Sequence, residues 1–184
     1  MNSSTSKPSM IESEEASRKQ LDLAHAQGEA YVEALNHMAY EEAHDGGEKP
    51  AGDYVIAYAV EHAEGMYLRD GDQLTWQEPG EENAHIEISV RDAADNRFIP
   101  GLTVTVVVED SDKNVIGERE QPFLWHPWLY HYGLNWQLPG SGEYTLNVHV
   151  KAPEFMRHDN KNGERYLEDV VVIFENVQIK TGKK

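Results

Sequence analysis

Four stretches of this chain alternate apolar and polar residues with a period of two, and that pattern limits the fold more than any other feature. AHIEISV places Ala84, Ile86, Ile88 and Val90 on one side and His85, Glu87 and Ser89 on the other. LTVTVVV sets Leu102, Val104 and Val106 opposite Thr103 and Thr105. YTLNVHV turns Leu146, Val148 and Val150 one way and Asn147 and His149 the other, and DVVVIFENVQI is a further strand near the end. Successive side chains of a strand point to opposite faces, so each run is a half-covered strand. YVIAYAV adds an apolar strand. The turn signals DAADN, DSDKN and PGSG separate them, and no helical pattern lies between strands. The chain is therefore read as an antiparallel β-sandwich or barrel over residues 53–180, not a parallel α/β sheet.

Ahead of the strands the pattern changes. Residues 11–45 read as a helical extension free of proline, with Leu21, Ala24, Gly28, Tyr31, Leu35 and Met38 at alternating spacings of three and four. This stripe predicts a helix that docks on the following domain or pairs with a second copy. The breaker-rich DGGEKPAGD stops it and reads as a linker. His37, Glu41 and His44 share a helix face, which reads as solvated, with a metal clip as the alternative. Residues 1–10, MNSSTSKPSM, read as a flexible tail: a native cytosolic end, or the tether left when a signal or lipid anchor is removed.

Composition narrows the chemistry. Sixteen basic residues against 33 acidic ones give a net charge of −17, which repels nucleic acid and anionic membrane surfaces. No apolar run approaches the roughly 20 residues of a membrane span. There is no cysteine, so thiolate metal sites, disulfides and a cysteine nucleophile are excluded, whereas nine histidines make metal binding the first chemistry to examine. There is no nucleophile elbow, no HExxH, no phosphate-cradling glycine loop and no dinucleotide fingerprint, and nothing points to an enzyme.

Three clusters carry the remaining possibilities. His85 and Glu87 leave one face of a strand about 6–7 Å apart at the backbone, where an imidazole and a carboxylate can ligate one cation. PFLWHPWLYHYGLNW, residues 122–136, brings His126 and His131 together with a run of aromatic rings. Pro127 argues for a loop or broken edge strand in its first half. Trp125, Trp128, Tyr130 and Trp136 read either as a cover over the sandwich or as stacking surfaces of a carbohydrate-binding or adhesive module. The polar loop 152–166 carries Met156, His158, Asp159 and Glu164, and His158 matters only if the fold brings it beside His85 and His131.

In order, HIE at 85–87, IPGLTV at 99–104, HYGLN at 131–135, GEYTLNVHVKAP at 142–153 and RHD at 157–159 resemble the periplasmic iron-transport accessory family. These are copper- and iron-binding β-sandwich proteins of bacterial high-affinity iron uptake. The likeness spans residues 53–180 and is strongest from 84 to 160. It implies a mainly β chain, an immunoglobulin-like antiparallel β-sandwich to which this sequence adds the N-terminal helical extension. It also implies a non-enzymatic metal-binding protein, periplasmic or lipid-tethered, that assists an inner-membrane iron permease. The implied ligands are His85, Glu87, His131 and His158. Copper is the implied occupant, iron the cargo, and zinc a substitute. The resemblance further implies a homodimer with the site near the interface, with Trp125, Trp128, Tyr130 and Tyr132 as aromatic lid or interface. Two positions depart from the pattern. Leu124 stands where the family has a ligating methionine, leaving His126 as an extra ligand, and Trp128 replaces an aspartate associated with a second metal.

Overall fold

The computed structural model describes residues 9–184, so the first eight residues of the expected tail lie outside it. Eleven strands follow one helix. Strands β1 (Asp45–Ala51), β2 (Tyr54–Glu61), β5 (Ala84–Asp92), β9 (Tyr130–Trp136) and β8 (Phe123–Trp125) form one antiparallel sheet in the order β1-β2-β5-β9-β8. Strands β11 (Val170–Ile179), β10 (Gly142–Val150), β6 (Val104–Glu109) and β7 (Val115–Glu120) form the second, in that order. The hairpin β3 (Met66–Asp70) and β4 (Gln73–Gln77) stands apart as a small sheet.

The alternating faces do what their chemistry requires. Ile86, Ile88 and Val90 from β5 meet Val104, Val106 and Val108 from β6 and Leu146, Val148 and Val150 from β10 in one continuous core. Burying each such side chain contributes about 1.5–3 kcal/mol, which is why the register cannot slip without turning the apolar set outward. Tyr132 belongs to this core, where its hydroxyl donates to the Ile99 carbonyl (2.8 Å) and accepts from the Leu102 N–H (3.0 Å). This corrects its expected place in an aromatic lid: on β9 it alternates with His131 and points inward. At one end of the sandwich Asp92 accepts two hydrogen bonds from Arg165 (2.9 and 3.0 Å) and one from the Tyr166 hydroxyl, tying the loop after β10 to β5.

β5 is buried along its whole length, on both faces. The cover over its outer face includes α1 (Arg18–His37), which ends in a π-helical turn over Met38–Glu42. Gln20 Oε1 accepts from the Ser17 N–H at 2.8 Å, which starts the helix at 18 instead of 11. Residues 11–17 instead lie against the loop after β10, where Ile11 exchanges hydrogen bonds with Asn162 and Ser13 donates to Asp159. The stripe then docks as its spacing predicts. Gly28 passes so close to the backbone of Asp95 that a Cβ would stand 1.7 Å from its carbonyl oxygen. The Tyr31 hydroxyl donates to the Tyr130 carbonyl at 2.5 Å and lies 3.1 Å from Ser89 Oγ. Met38 packs on Ala59 and Leu129.

Two elements depart from the sequence reading. DGGEKPA is the edge strand β1 and not a linker; all seven of its residues pair with β2, and a proline is admissible at an edge. The β3–β4 hairpin carries a GD turn between short strands whose Tyr67, Leu68, Leu74 and Trp76 stay exposed, so it has no buried alternation to betray it.

Candidate metal centre

The outer face of the first sheet gathers its polar residues by register. Glu61 of β2 stands opposite His85 of β5, and His85 opposite Asn135 of β9. Glu87 stands between Ala59 and Gly133, and His131 lies two residues before Gly133 on the same face. Directly opposed residues of an antiparallel pair project to the same side, so His85, Glu87 and His131 converge. Glu87 Oε1 is 3.7 Å from His85 Nε2 and 3.4 Å from His131 Nε2. Among the described residues this is the one group of three or more His, Asp or Glu side chains close enough to share a metal ion. Gly133 leaves the space open: a Cβ there would come to 3.0 Å from His85 Nε2 and 3.1 Å from His131 Cδ2.

The three residues are 0%, 4% and 3% exposed in the order His85, Glu87, His131. His85 is oriented by Asn135, whose Oδ1 lies 3.0 Å from its Nδ1 and whose Nδ2 donates to the Glu64 carbonyl. With the proton on Nδ1, the Nε2 lone pair faces the cluster. That Nε2, and both ring nitrogens of His131, are buried without a hydrogen-bond partner. Such groups cost roughly 1–3 kcal/mol each when left unpaired, and a cation taking the Nε2 lone pairs of His85 and His131 would remove that cost for two of the three.

The electrostatics follow from burial. Desolvation lowers His85, against the pull of the Glu64 carboxylate and the Asn135 hydrogen bond, and lowers His131 to about 3, with His85 and His126 adding to the effect. Desolvation, then the Glu61 and Glu64 carboxylates, pushes Glu87 up to about 8. At neutral pH the site therefore presents two neutral imidazoles and a protonated carboxyl, which would have to give up its proton to ligate a cation. Two imidazole nitrogens and one carboxylate oxygen suit Cu(II), Zn(II), Ni(II) and Fe.

Of the other residues singled out in the sequence, His126 lies nearby. Its ring centre is 6.4 Å from that of His131, and its Nδ1 is buried and unpartnered. Leu124 opposes His131 across β8–β9, and its Cδ1 borders the space left by Gly133, an apolar contact that cannot ligate. Trp128 packs edge-on against His126 and His37, Tyr130 sits among Phe98 and Phe123, and Trp125 is exposed. His158 is not brought to the cluster. Its side chain is 90% exposed and its Nδ1 is 3.0 Å from Glu15, at the start of α1, whereas the cluster lies by the end of that helix. Twenty helical residues separate the two ends by about 30 Å. The face of His37, Glu41 and His44 forms no clip, because His37 turns to Glu42 (3.9 Å) and Trp128 while His44 packs edge-on against His62.

Sequence reasoning did not reach Glu61, Glu64, Gly133 and Asn135. The one available signal was the acidic residue ending the apolar run YVIAYAVE, since Glu61 is the cross-strand neighbour of His85. Between α1 and the sheet lies a cavity of about 480 Å³, walled by Leu35, Met38, Glu87, Ser89, Arg91 and His131 among others. It leaves open space beside Glu87 and His131.

The sequence matches the Fe2+ transport protein family over residues 42–178. Comparison with curated proteins gives no match. Among solved structures, copper-reconstituted P19 of Campylobacter jejuni superposes with a TM-score of 0.62 at 20% identity, over 75% of this chain and 96% of that one. FetP of uropathogenic Escherichia coli strain F11, recombinantly expressed in the periplasm of E. coli BL21(DE3), gives 0.55 at 19% identity, over 72% and 97%. A copper-bound variant of FetP gives 0.58 at 18% identity, over 73% and 95%. The fold is shared with these proteins; α1 precedes the stretch matched by the family.

Proposed function

Because this chain belongs to the Fe2+ transport protein family, we propose that it is a non-enzymatic metal-binding accessory of iron uptake, working in the periplasm either free or lipid-tethered. The observation that carries this reading is the buried trio His85, Glu87 and His131, with three imidazole nitrogens that have no hydrogen-bond partner. His85 and His131 would hold the cation through Nε2 and Glu87 through a carboxylate oxygen. His126 is the fourth ligand in this reading, supported by its buried, unpartnered Nδ1. Copper is favoured by the donor set and by the order of divalent affinities, with zinc as a substitute and iron as the cargo. The copper-reconstituted and copper-bound relatives support the same choice.

The protein's own residues do three things in this role. Asn135 fixes the His85 tautomer, Gly133 keeps the volume open, and the −17 net charge draws cations toward the site. His158 joins only if a second copy brings it, so a homodimer is part of the proposal. The partner that receives the cargo is an inner-membrane iron permease.

Isothermal titration with Cu(II) at neutral pH tests the reading. Wild-type protein is expected to bind tightly, and His131→Gln and His85→Gln to lose that binding while keeping the circular dichroism of the folded sandwich. Undiminished binding by either variant refutes the site.

A further inference from the structure

Two members of the trio, Glu87 and His131, line the cavity under α1. The wall of that cavity beside Glu87 and His131 includes Met38, the residue at which α1 gives way to the π-helical turn. Met38 is 4% exposed and is the one buried methionine among the described residues. It packs on Ala59, the cross-strand neighbour of Glu87, and on Leu129, two residues before His131. Both supports thus adjoin cluster residues. The helix is held in this register from both sides of the methionine: Tyr31 bonds to Tyr130 and lies beside Ser89, and the Ala43 N–H donates to the Met38 carbonyl to close the turn. π-helical turns are frequent where a helix presents a side chain for function.

We infer that α1 is part of the metal centre and presents the thioether of Met38 to the cluster, giving it a soft donor beside the imidazoles and the carboxylate of the proposed site. Thioether sulfur is a polarisable ligand that favours Cu(I), whereas Cu(II) and Zn(II) are satisfied by nitrogen and oxygen. A site built this way keeps copper in either oxidation state. This inference rests on the proposed metal-binding reading and adds to it the residue that sets its preference.

Two measurements on the full chain test it. X-ray absorption at the copper edge of anaerobically loaded Cu(I) protein is expected to show one sulfur scatterer in the wild type and in Met156→Leu, whose methionine is 98% exposed. The scatterer is expected to be absent in Met38→Leu. Competition against a chromogenic Cu(I) chelator is expected to show at least a tenfold loss of Cu(I) affinity in Met38→Leu, with Cu(II) affinity changed less than threefold. A wild type without sulfur, a Met38→Leu protein that keeps it, or equal losses for Cu(I) and Cu(II) overturns the inference. The wild-type spectrum needs no substitution, so a poorly folding variant does not protect the idea. Retention of Cu(II) by His131→Gln overturns the underlying reading; a normal Met38→Leu beside a copper-free His131→Gln overturns only the role of Met38.

Discussion

Glu87 Oε1 lies 3.4 Å from Nε2 of His131, and burial drives the two groups in opposite directions, the carboxyl up to about 8 and the imidazole down to about 3. Above pH 6.5 His85 and His131 stay neutral in the fold while their unfolded counterparts lose their remaining charge, which favours the fold, so the decline of stability with pH comes from Glu87. Its proton is held more tightly in the fold, so the stability it contributes is complete below the ordinary carboxyl value near 4.3 and is lost as pH rises through about 8. The metal-free protein is expected to lose on the order of 1–2 kcal/mol between pH 6.5 and 8 by urea unfolding, and Glu87→Gln to abolish that decline. A flat wild-type profile contradicts the assignment.

The same ionisation links metal to protons. At pH 7, calorimetry in buffers of different ionisation enthalpy is expected to show close to one proton released per Cu(II), and none for Glu87→Gln. Copper affinity is expected to rise with pH up to about 8 and then level off.

In the proposed reading His131 serves the metal and not the metal-free fold. Both of its nitrogens are buried and unpaired, so His131→Leu is expected to remove copper binding while leaving the metal-free protein as stable or more stable, by up to about 1 kcal/mol in denaturant unfolding. A loss of several kcal/mol would show that the ring is structural.

Gly133 tests the cradle directly. Its backbone is not among the left-handed positions, so alanine is conformationally admissible, yet the new methyl would sit 3.0 Å from His85 Nε2. Gly133→Ala is expected to keep its circular dichroism and to bind Cu(II) at least tenfold more weakly. Unchanged affinity in a titration would place the cation elsewhere.

Gly28 tests the docking of α1. Alanine raises helix propensity by about 1 kcal/mol, but its methyl would meet the Asp95 carbonyl at 1.7 Å, a backbone atom that cannot turn aside. Gly28→Ala is expected to destabilise by about 1–3 kcal/mol and to expose Arg18 and Lys19, in the first turn of α1, to trypsin. Wild-type resistance in limited proteolysis would mean the helix is held some other way.

How far the sequence discloses this molecule depends on whether a residue acts along the chain or across it. Ile86, Ile88 and Val90 announce β5 because their alternation is local, and the same spacing exposes His85 and Glu87. The stripe from Leu21 to Met38 foretells a docked helix. Gly133, Asn135, Glu61 and Glu64 reach the cluster only through the registers of β2, β5 and β9, which no local pattern encodes. β1 is hidden because an edge strand tolerates the glycines and proline that elsewhere signal a linker. His158 fails to join for the opposite reason: its order in the chain suggests convergence, while the loop that bears it is anchored to Ile11 and Ser13, at the far end of α1.

The helix that lies over the face of His85, Glu87 and His131 comes before every strand of that face in the chain. During synthesis it leaves the ribosome before its docking surface exists, and that surface is complete only when β9 has paired with β5. Closure is therefore the last of these assembly steps. A cation that meets the sheet before α1 docks finds it open; one that must leave afterwards has a packed helix in its way. Under the proposed metal-binding role, loading and unloading are thus different problems for this chain.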